Sequence, residues 1–270
     1  MTNSIMTDFS VYTLASSSKG NSVWVRCGKD ELLIDAGTSA RRIEAALSSL
    51  GTSLRNIGAI FITHEHSDHT SALETITKKY PIPVHFIETS AQAFLGTDKT
   101  ASVGRAAVIH PPLYCERVGS LEVRSFVTPH DSAGSVGFVV SDGTASHSVA
   151  LATDIGYVSE SVEQALNGVE NVILESNHDE NMLLCGAYPY QLKRRILSDH
   201  GHLSNESAAA FAHRLALSGT KRILLAHLSP ENNIPELALR CAELALNGTA
   251  ASVSVASMSS PTRLIDEREQ

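Results

Sequence analysis

Cysteine is scarce in this sequence, and no two cysteines stand close together. The 270 residues include four, Cys27, Cys115, Cys185 and Cys241, and none of them forms a Cys-x-x-Cys pair. Scattered single cysteines are typical of reduced thiols in a cytosolic protein. We therefore expect four free, buried thiols that do not bind metal.

Long hydrophobic runs are also missing. No run approaches the roughly eighteen apolar residues that a membrane-spanning helix requires, and the polar N-terminal ten residues lack the apolar stretch of a signal peptide. The sequence therefore predicts no membrane interaction and a cytoplasmic location.

Positive charge is the third shortage. The chain has 21 lysines and arginines against 29 aspartates and glutamates, for a formal charge of −8. Binding of nucleic acid by bulk electrostatics requires a basic surface, which this composition does not provide. Short basic clusters leave a local basic path open, although each is also typical of a solvated helix or strand end. They are Arg41-Arg42, Lys78-Lys79, Lys193-Arg194-Arg195 and Lys221-Arg222.

The composition and patterning predict a large core and an α+β fold. Hydrophobic residues make up 43% of the chain, and we expect a single domain over residues 1–270. The apolar runs at residues 59–62 and 222–226 show almost no polar alternation, as in strands buried on both faces. We predict two mixed β-sheets flanked by helices, an αβ/βα sandwich of four layers.

Several local predictions can be compared with the structure. We expect a helix over residues 70–80, an irregular segment over 103–116, a hairpin turned at Asp142-Gly143 and a last strand over 251–256. Ser204 and Asn205 are candidate caps of a following helix.

The segment His64-Glu65-His66-Ser67-Asp68-His69 follows the apolar run at 59–62 and concentrates metal-ligand residues. An isolated histidine is usually structural, but four ligand residues in six positions indicate a metal site. Side chains two apart in extended chain point the same way, so His64 and His66 suit one ion. Asp68 and His69 suit a second ion, and both ions need further ligands from elsewhere in the chain.

Other polar residues follow predicted apolar strands, and strand ends converge at one sheet edge. They are His130, Asp154, Glu175 and His227. Taken alone, His130 is also explained as a turn residue and Asp154 as the cap of a helix beginning near Ser159.

The order of these residues resembles the ligand set of the metallo-β-lactamase superfamily, and the resemblance spans almost the whole chain. It implies that superfamily's fold and a site for two metal ions, in which Asp154 is the bridging ligand and Asp35 a structural aspartate. The first ion would take His64, His66 and His130, and the second Asp68, His69 and His227.

Four further segments, at residues 14–21, 153–157, 174–179 and 201–205, resemble the bacterial YycJ/WalJ proteins, which are regarded as nucleases. The segment Gly201-His202-Leu203-Ser204 is also similar to ribonuclease Z and to cyclic phosphodiesterases. The resemblance implies that His202 contacts the scissile phosphate and that Glu175 orients His202. A simple hydrogen-bonding role of His202 is the alternative, and His178 and His200 are expected to be structural or to lie at the rim.

We therefore predict a dinuclear metal-dependent hydrolase that acts on phosphodiesters, most specifically a 5′–3′ exonuclease on DNA. Two ions roughly 3.5 to 4 Å apart would share a hydroxide of lowered pKa. Asp68 would orient the nucleophile, and His202, tuned by Glu175, would stabilise the transition state or protonate the leaving oxygen. A ligand set of nitrogen and oxygen favours Zn²⁺, with Mn²⁺ as the alternative.

Three other functions are compatible with the same residues. The first is a phosphodiesterase for small cyclic diesters, the second a thioesterase or lactonase, and the third a non-catalytic, metal-bound regulator. A nuclease differs from a small-molecule diesterase in that added salt weakens its binding to substrate.

Overall fold

The strands of the described residues form two seven-stranded sheets. A computed structural model describes residues 8–96, 100–144 and 146–266. In spatial order, the first sheet contains β14 (Thr262–Asp266), β1 (Phe9–Ala15), β2 (Ser22–Cys27), β3 (Asp30–Ile34), β4 (Ile57–Phe61), β5 (Val84–Ile87) and β6 (Ala107–His110). Strands β3 to β6 are parallel neighbours, whereas β14, β1, β2 and β3 pair antiparallel.

The second sheet is mixed in the same way. It contains β13 (Ser252–Val255), β12 (Arg222–Ala226), β11 (Asn171–Glu175), β10 (Ser148–Ala152), β9 (Val136–Ser141), β8 (Leu121–Val127) and β7 (Cys115–Val118). Strands β10 to β13 are parallel, and β7 to β10 are antiparallel. The antiparallel pair β9–β10 confirms the hairpin predicted around Asp142-Gly143, where Gly143 has φ +70°.

Helices cover the outer face of each sheet. Those in the N-terminal half are α1 (Ala40–Ser49), α2 (Ser67–Thr70), α3 (Leu73–Lys79), α4 (Glu88–Phe94) and α5 (Ala101–Ala106), with a 3-10 turn at Leu54–Asn56. Those in the C-terminal half are α6 (Glu160–Leu166), α7 (Glu180–Cys185), α8 (Tyr190–Ile196), α9 (Asn205–Leu217) and α10 (Pro235–Ala245). Among the described residues, no helix is long and apolar enough to cross a bilayer.

Side chains of each central strand point alternately to two different cores. In β4, Phe61 packs between the sheets, where its ring meets that of Phe138 at 5.8 Å, and Ile60 packs against the helices on the outer face. In β12, Leu224 likewise faces the opposite sheet and Leu225 faces α9 and α10. This double burial explains the continuous apolar runs, and it confirms the predicted four-layer sandwich. That residues 1–270 form a single domain stays a prediction.

Three local predictions were wrong. The segment 103–116 is not irregular, because it contains α5, β6 and the start of β7. The last strand is β14 rather than β13, and it pairs with β1 so that Ser10 lies opposite Asp266. The helix predicted over 70–80 begins only at Leu73, as α3, and Thr70 belongs to the separate helix α2. The N-terminal segment that we predicted not to be a signal peptide lies partly outside the described residues, because the description begins at residue 8.

The cysteine prediction was half right. All four cysteines are free, but only Cys27 is buried. Cys115 is exposed because β7 is an edge strand, Cys185 is exposed at the end of α7, and Cys241 is half-buried in α10.

Candidate metal centre

Polar residues from both sheets meet at one edge of the sandwich. The 64–69 segment follows β4, and His130, Asp154 and His227 follow β8, β10 and β12. Strands running in the same direction end at the same edge, which is where α/β proteins place their sites. All seven residues predicted as metal ligands lie at this edge, in the groups described below.

The first group consists of His64, His66 and His130. One ring nitrogen of each lies within 4.8 Å of the others. His64 Nε2 is 3.0 Å from His66 Nδ1, and the His64 and His130 ring centroids are 4.9 Å apart. Burial lowers the pKa of both His64 and His130, so these rings are neutral at pH 7 and offer lone pairs.

The second group consists of Asp68, His69 and His227, again with one ligand atom of each within 4.8 Å of the others. His69 Nε2 is 3.3 Å from Asp68 Oδ2, and the His69 and His227 rings stack with their centroids 5.7 Å apart. A carboxylate and two imidazoles match the ligands that Zn²⁺ and similar ions accept.

Asp154 lies between the two groups. Its Oδ2 atom is 3.3 Å from His69 Nε2 and 3.3 Å from His227 Nδ1, and its Oδ1 atom is 3.8 Å from His130 Nε2. Burial raises the pKa of this carboxyl, but the charges of His227 and His69 outweigh burial and hold the pKa well below its ordinary value. The carboxylate is therefore placed to contact ions in both groups.

Two atoms at this point are buried without any hydrogen bond, Asp154 Oδ2 and His227 Nδ1. A buried polar atom without a hydrogen-bond partner destabilises the folded state, so such atoms usually indicate that an ion or another group binds between them. The residues present therefore fit a pair of divalent cations.

Backbone strain is concentrated at the same edge. Within the described ranges, the residues other than glycine with positive φ are Asp35 (61°), Asp154 (57°) and His227 (57°), and each directly follows or closely follows a strand. This conformation is unfavourable for residues with a Cβ, and it persists where surrounding contacts enforce it. His227 N–H donates to Ser16 Oγ at 2.8 Å, and Asp154 N–H to Glu175 Oε1 at 3.2 Å.

Asp35 orients one of the predicted ligands. Its Oδ2 atom is 2.7 Å from His69 Nδ1, and its Oδ1 atom accepts a 2.9 Å hydrogen bond from Thr63 N–H. A carboxylate at Nδ1 fixes the ring so that Nε2 faces the site. The cap of the following helix, α1, is Ser39.

The backbone of the 64–69 segment is held by the loop between β1 and β2 and by the residues that follow β3. Asn21 N–H donates to Asp68 O at 2.8 Å, and Ala36 N–H donates to His69 O at 2.8 Å. A Cβ atom on Gly37 would lie 1.5 Å from Asp68 O. The close approach of these two chain segments therefore requires glycine at position 37.

His202 and Glu175 form a pair beside Asp154. His202 Nδ1 is 2.8 Å from Glu175 Oε1 and 3.8 Å from Asp154 Oδ1. Burial lowers the pKa of His202, but the charge and hydrogen bond of Glu175 outweigh burial and raise that pKa to about 9. The structure thus places an imidazole that is hydrogen-bonded to Glu175 next to the two ligand groups.

Comparison with known proteins places the chain in a family. Residues 30–228 match the beta-lactamase superfamily domain. The chain belongs to this superfamily. It is 38% identical over 233 residues to the exodeoxyribonuclease YycJ of Bacillus anthracis, covering 83% of this chain and 84% of the relative. It is 36% identical to the exodeoxyribonuclease WalJ of Streptococcus pneumoniae, covering 85% of both chains. The resemblance to the YycJ/WalJ proteins is confirmed.

Solved structures of the superfamily share the fold. The metallo-beta-lactamase fold protein YhfI from Bacillus subtilis has a TM-score of 0.72 at 16% identity, covering 95% of this chain and 99% of its own. Human tRNase Z, short form, has a TM-score of 0.66 at 18% identity, covering 95% and 99%. A diphosphatase of the PhnP family has a TM-score of 0.67 at 15% identity, covering 96% and 98%. At these identities the similarity establishes the fold alone.

Sequence reasoning assigned no individual role to Ser16 or Asn21, although both lie in the loop at residues 14–21 that carries part of the resemblance. In the structure, Asn21 Nδ2 is 3.4 Å from Asp68 Oδ2 and 3.3 Å from His69 Nε2. The signal was the richness of that loop in small polar side chains. Ser204 caps α9 as predicted, but Asn205 does not, since its Oδ1 atom accepts from Ser176 Oγ at 2.7 Å.

The remaining histidines lie apart from the two groups. His178 is buried with no hydrogen bond at either ring nitrogen, and His200 is exposed near the rim. His85 and His110 form a pair that the sequence did not predict, with Nδ1 of His85 2.9 Å from Nε2 of His110 and the ring planes 8° apart. The centroid separation of 5.1 Å indicates edge-to-edge hydrogen bonding, in which the two nitrogens share one proton and point at each other.

Proposed function

We propose that the chain is a metal-dependent phosphodiesterase, and specifically an exonuclease that removes nucleotides from DNA. The observation that supports this most directly is the position of the His202–Glu175 pair. It lies beside Asp154 and next to both groups of candidate ligands, where we expect the phosphate to bind. The exodeoxyribonuclease names of the relatives support DNA as the substrate.

We assign the metal ligands as follows. His64, His66 and His130 would hold one ion, Asp68, His69 and His227 would hold a second, and Asp154 would contact both. Bound divalent cations lower the pKa of a water molecule and neutralise negative charge on phosphate oxygens. The donor set favours Zn²⁺, and Mn²⁺ is the second candidate because no thiolate is present among the ligands.

Three side chains of the protein act on the substrate and the attacking water. Asp68 accepts a hydrogen bond from the water and orients it, since its carboxylate lies at the edge of the second group. Glu175 holds the proton on His202 Nδ1, so His202 presents an Nε2–H donor towards the site. From that atom it stabilises charge on a phosphate oxygen or protonates the leaving oxygen.

The His202–Glu175 pair favours a phosphodiester over the alternative substrates. A phosphodiester is anionic throughout the reaction, so the N–H donor of His202 contributes both to binding and to the transition state. A thioester or lactone is neutral when it binds and gains less from this donor.

The completeness of the predicted ligand set argues against a non-catalytic regulator. Four unpaired cysteines support a cytoplasmic location.

Metal-reconstituted hydrolysis tests the proposal. The apoprotein, loaded with Zn²⁺ or Mn²⁺, is assayed with bis-p-nitrophenyl phosphate and with end-labelled single- and double-stranded DNA. We expect phosphodiester cleavage and shortening of DNA from one end, in the 5′ to 3′ direction. A thioester and a β-lactam serve as comparison substrates. Turnover of either of these, combined with no phosphodiester cleavage under any metal condition, would disprove the proposed function.

A further inference from the structure

The loop between β1 and β2, residues 16–21, contains polar side chains that are buried. Ser16, Ser17 and Asn21 are exposed by only 4%, 6% and 7%. Loops run over the surface of a protein, and a polar side chain buried in one needs hydrogen-bond partners. For Ser16 and Asn21 these partners belong to the second group of candidate ligands.

The orientation of the Asn21 amide is fixed by its surroundings. Its Oδ1 atom accepts a 3.2 Å hydrogen bond from Ser17 N–H, a group that can only donate. The Nδ2 atom therefore faces the 64–69 segment, where it donates to Asp68 O at 3.3 Å and to Asp68 Oδ2 at 3.4 Å. One amide group thus holds both the backbone and the side chain of Asp68.

Asp68 needs such an anchor more than the other members of its group. Its side chain is 21% exposed, whereas those of His69 and His227 are exposed by 0% and 1%. Packing therefore restrains Asp68 less than it restrains the two histidines. Asn21 is not itself a candidate ligand at this position, because the Nδ2 atom that it presents is a hydrogen-bond donor.

Ser16, at the other end of the loop, holds another member of the second group. Its Oγ atom accepts a 2.8 Å hydrogen bond from His227 N–H. Since φ of His227 is 57°, its backbone keeps this conformation only where surrounding contacts enforce it. His227 follows a strand of the second sheet, and Asp68 follows a strand of the first. The loop therefore holds candidate ligands that come from both sheets.

The first group is held by other residues. His64 Nδ1 is 3.1 Å from Thr63 Oγ1, and His130 Nδ1 is 3.3 Å from Gly201 O. Among the described residues, no hydrogen bond joins the β1–β2 loop to His64, His66 or His130. A change in the loop should therefore affect one of the two groups and spare the other.

We propose that Asn21 and Ser16 are positioning residues for the second ion, an inference that rests on the ligand assignment in the proposed function. Asn21 keeps Asp68 Oδ2 beside His69 Nε2, from which it is 3.3 Å away. Ser16 keeps the backbone of His227 in its strained conformation. Residues that orient metal ligands in this way contribute a factor of about 10 to 100 to metal affinity.

Titration of the metal-free protein tests the proposal without any turnover. Zn²⁺ is added in competition with a chromophoric chelator of known affinity, and the dissociation constants of the two ions are fitted separately. For Asn21→Ala and Ser16→Ala, we expect one constant to rise about 10- to 100-fold and the other to stay within about twofold of wild type. Ser16→Ala deletes a single oxygen and tests the loop even if Asn21→Ala folds poorly. Equal weakening of both ions, or no weakening of either, would disprove the proposal.

A double-mutant cycle shows whether Asn21 acts through Asp68. In the Asp68→Ala background the amide has no side-chain acceptor left, so adding Asn21→Ala should weaken the affected ion much less than it does in the wild type. If the full effect persists in that background, Asn21 supports the fold in general and does not position Asp68.

Asn171→Ala is the matched control. Asn171 is also a buried asparagine, whose Nδ2 atom donates to Ser148 O at 2.9 Å and whose Oδ1 atom accepts from Arg222 at 3.1 Å. It lies at the start of β11, at the opposite end of that strand from Glu175, and we expect wild-type constants for both ions. A loss of affinity as large as that of Asn21→Ala would contradict the proposal. A wild type that binds fewer than two ions would instead contradict the ligand assignment in the proposed function.

Discussion

His202 Nδ1 lies 2.8 Å from Oε1 of Glu175, a carboxylate that is completely buried. The second carboxylate oxygen accepts hydrogen bonds from the backbone N–H groups of Leu203 at 3.0 Å and Ile155 at 3.1 Å. Glu175 is thus fixed by two chain segments, one of which carries His202 and the other Asp154. The relationship explains how a histidine that is not assigned as a metal ligand can be placed accurately beside the ligands.

Replacing His202 by alanine should separate catalysis from metal binding. We expect kcat for bis-p-nitrophenyl phosphate to fall about 10²- to 10³-fold, which is the usual effect of losing a general acid or a charge-stabilising donor. Elemental analysis should still find two ions per chain, because the assigned ligands are intact. Loss of an ion from His202→Ala would show that His202 is a ligand, and retention of wild-type kcat would refute its catalytic role.

Replacing Asp154 by alanine should remove bound metal, unlike the replacement of His202. Removing the carboxylate that lies 3.3 Å from both His69 and His227 takes away a ligand from both ions, so we expect loss of bound metal in elemental analysis. Asp154→Asn is the control for the backbone, because asparagine tolerates the positive φ of 57° at this position. The circular dichroism spectra of both variants should match wild type. Full retention of two ions by Asp154→Ala would contradict the bridging role.

Gly37→Ala tests the support behind the 64–69 segment. The added methyl group would overlap Asp68 O, so the segment carrying Asp68 and His69 must move, at a cost of about 1–3 kcal/mol in the free energy of unfolding. We expect weaker binding of the ion assigned to those two residues, measured by titration with a chelator. Gly104→Ala is the matched control, because it lies in α5 with no atom near the new methyl group. There alanine should leave metal affinity unchanged and stabilise the helix slightly.

The sequence predicted which residues meet at this edge because their chemistry is local. Imidazoles and carboxylates that directly follow continuous apolar runs are visible without coordinates, and parallel strands ending at one edge bring His64, Asp154 and His227 together. The four-layer architecture was predictable for the same reason, since strands buried on both faces lack polar alternation.

What the sequence did not predict depends on long-range contacts. Strand β14 is defined by its pairing with β1 more than two hundred residues away, and the edge strand β7 has no continuous apolar pattern because only alternate side chains are covered. Asn21 and Gly37 support the site through contacts with the 64–69 segment, and these contacts depend on how distant parts of the chain pack together. The His85–His110 pair depends on the register between β5 and β6.

The His85–His110 pair should make stability depend on pH. Burial, reinforced by the charge of His110 and opposed by that of Glu116, lowers the pKa of His85 to about 4. In the unfolded chain the same ring titrates near 6.5. Between these values the unfolded state binds the proton and the folded state does not, so stability is full above pH 6.5 and is lost as the pH falls towards 4.

Urea unfolding of the metal-chelated protein at pH 7, 6 and 5 measures this effect. At about 1.4 kcal/mol per pKa unit, His85 should contribute up to about 3 kcal/mol to the fall in unfolding free energy over its whole range. His85→Gln removes the titrating group, so its stability should decline less steeply than that of wild type, even if it is lower at pH 7. The histidines assigned as metal ligands titrate in both proteins, and the difference between the two curves therefore isolates His85. Parallel curves would mean that His85 is protonated equally in the folded and unfolded states.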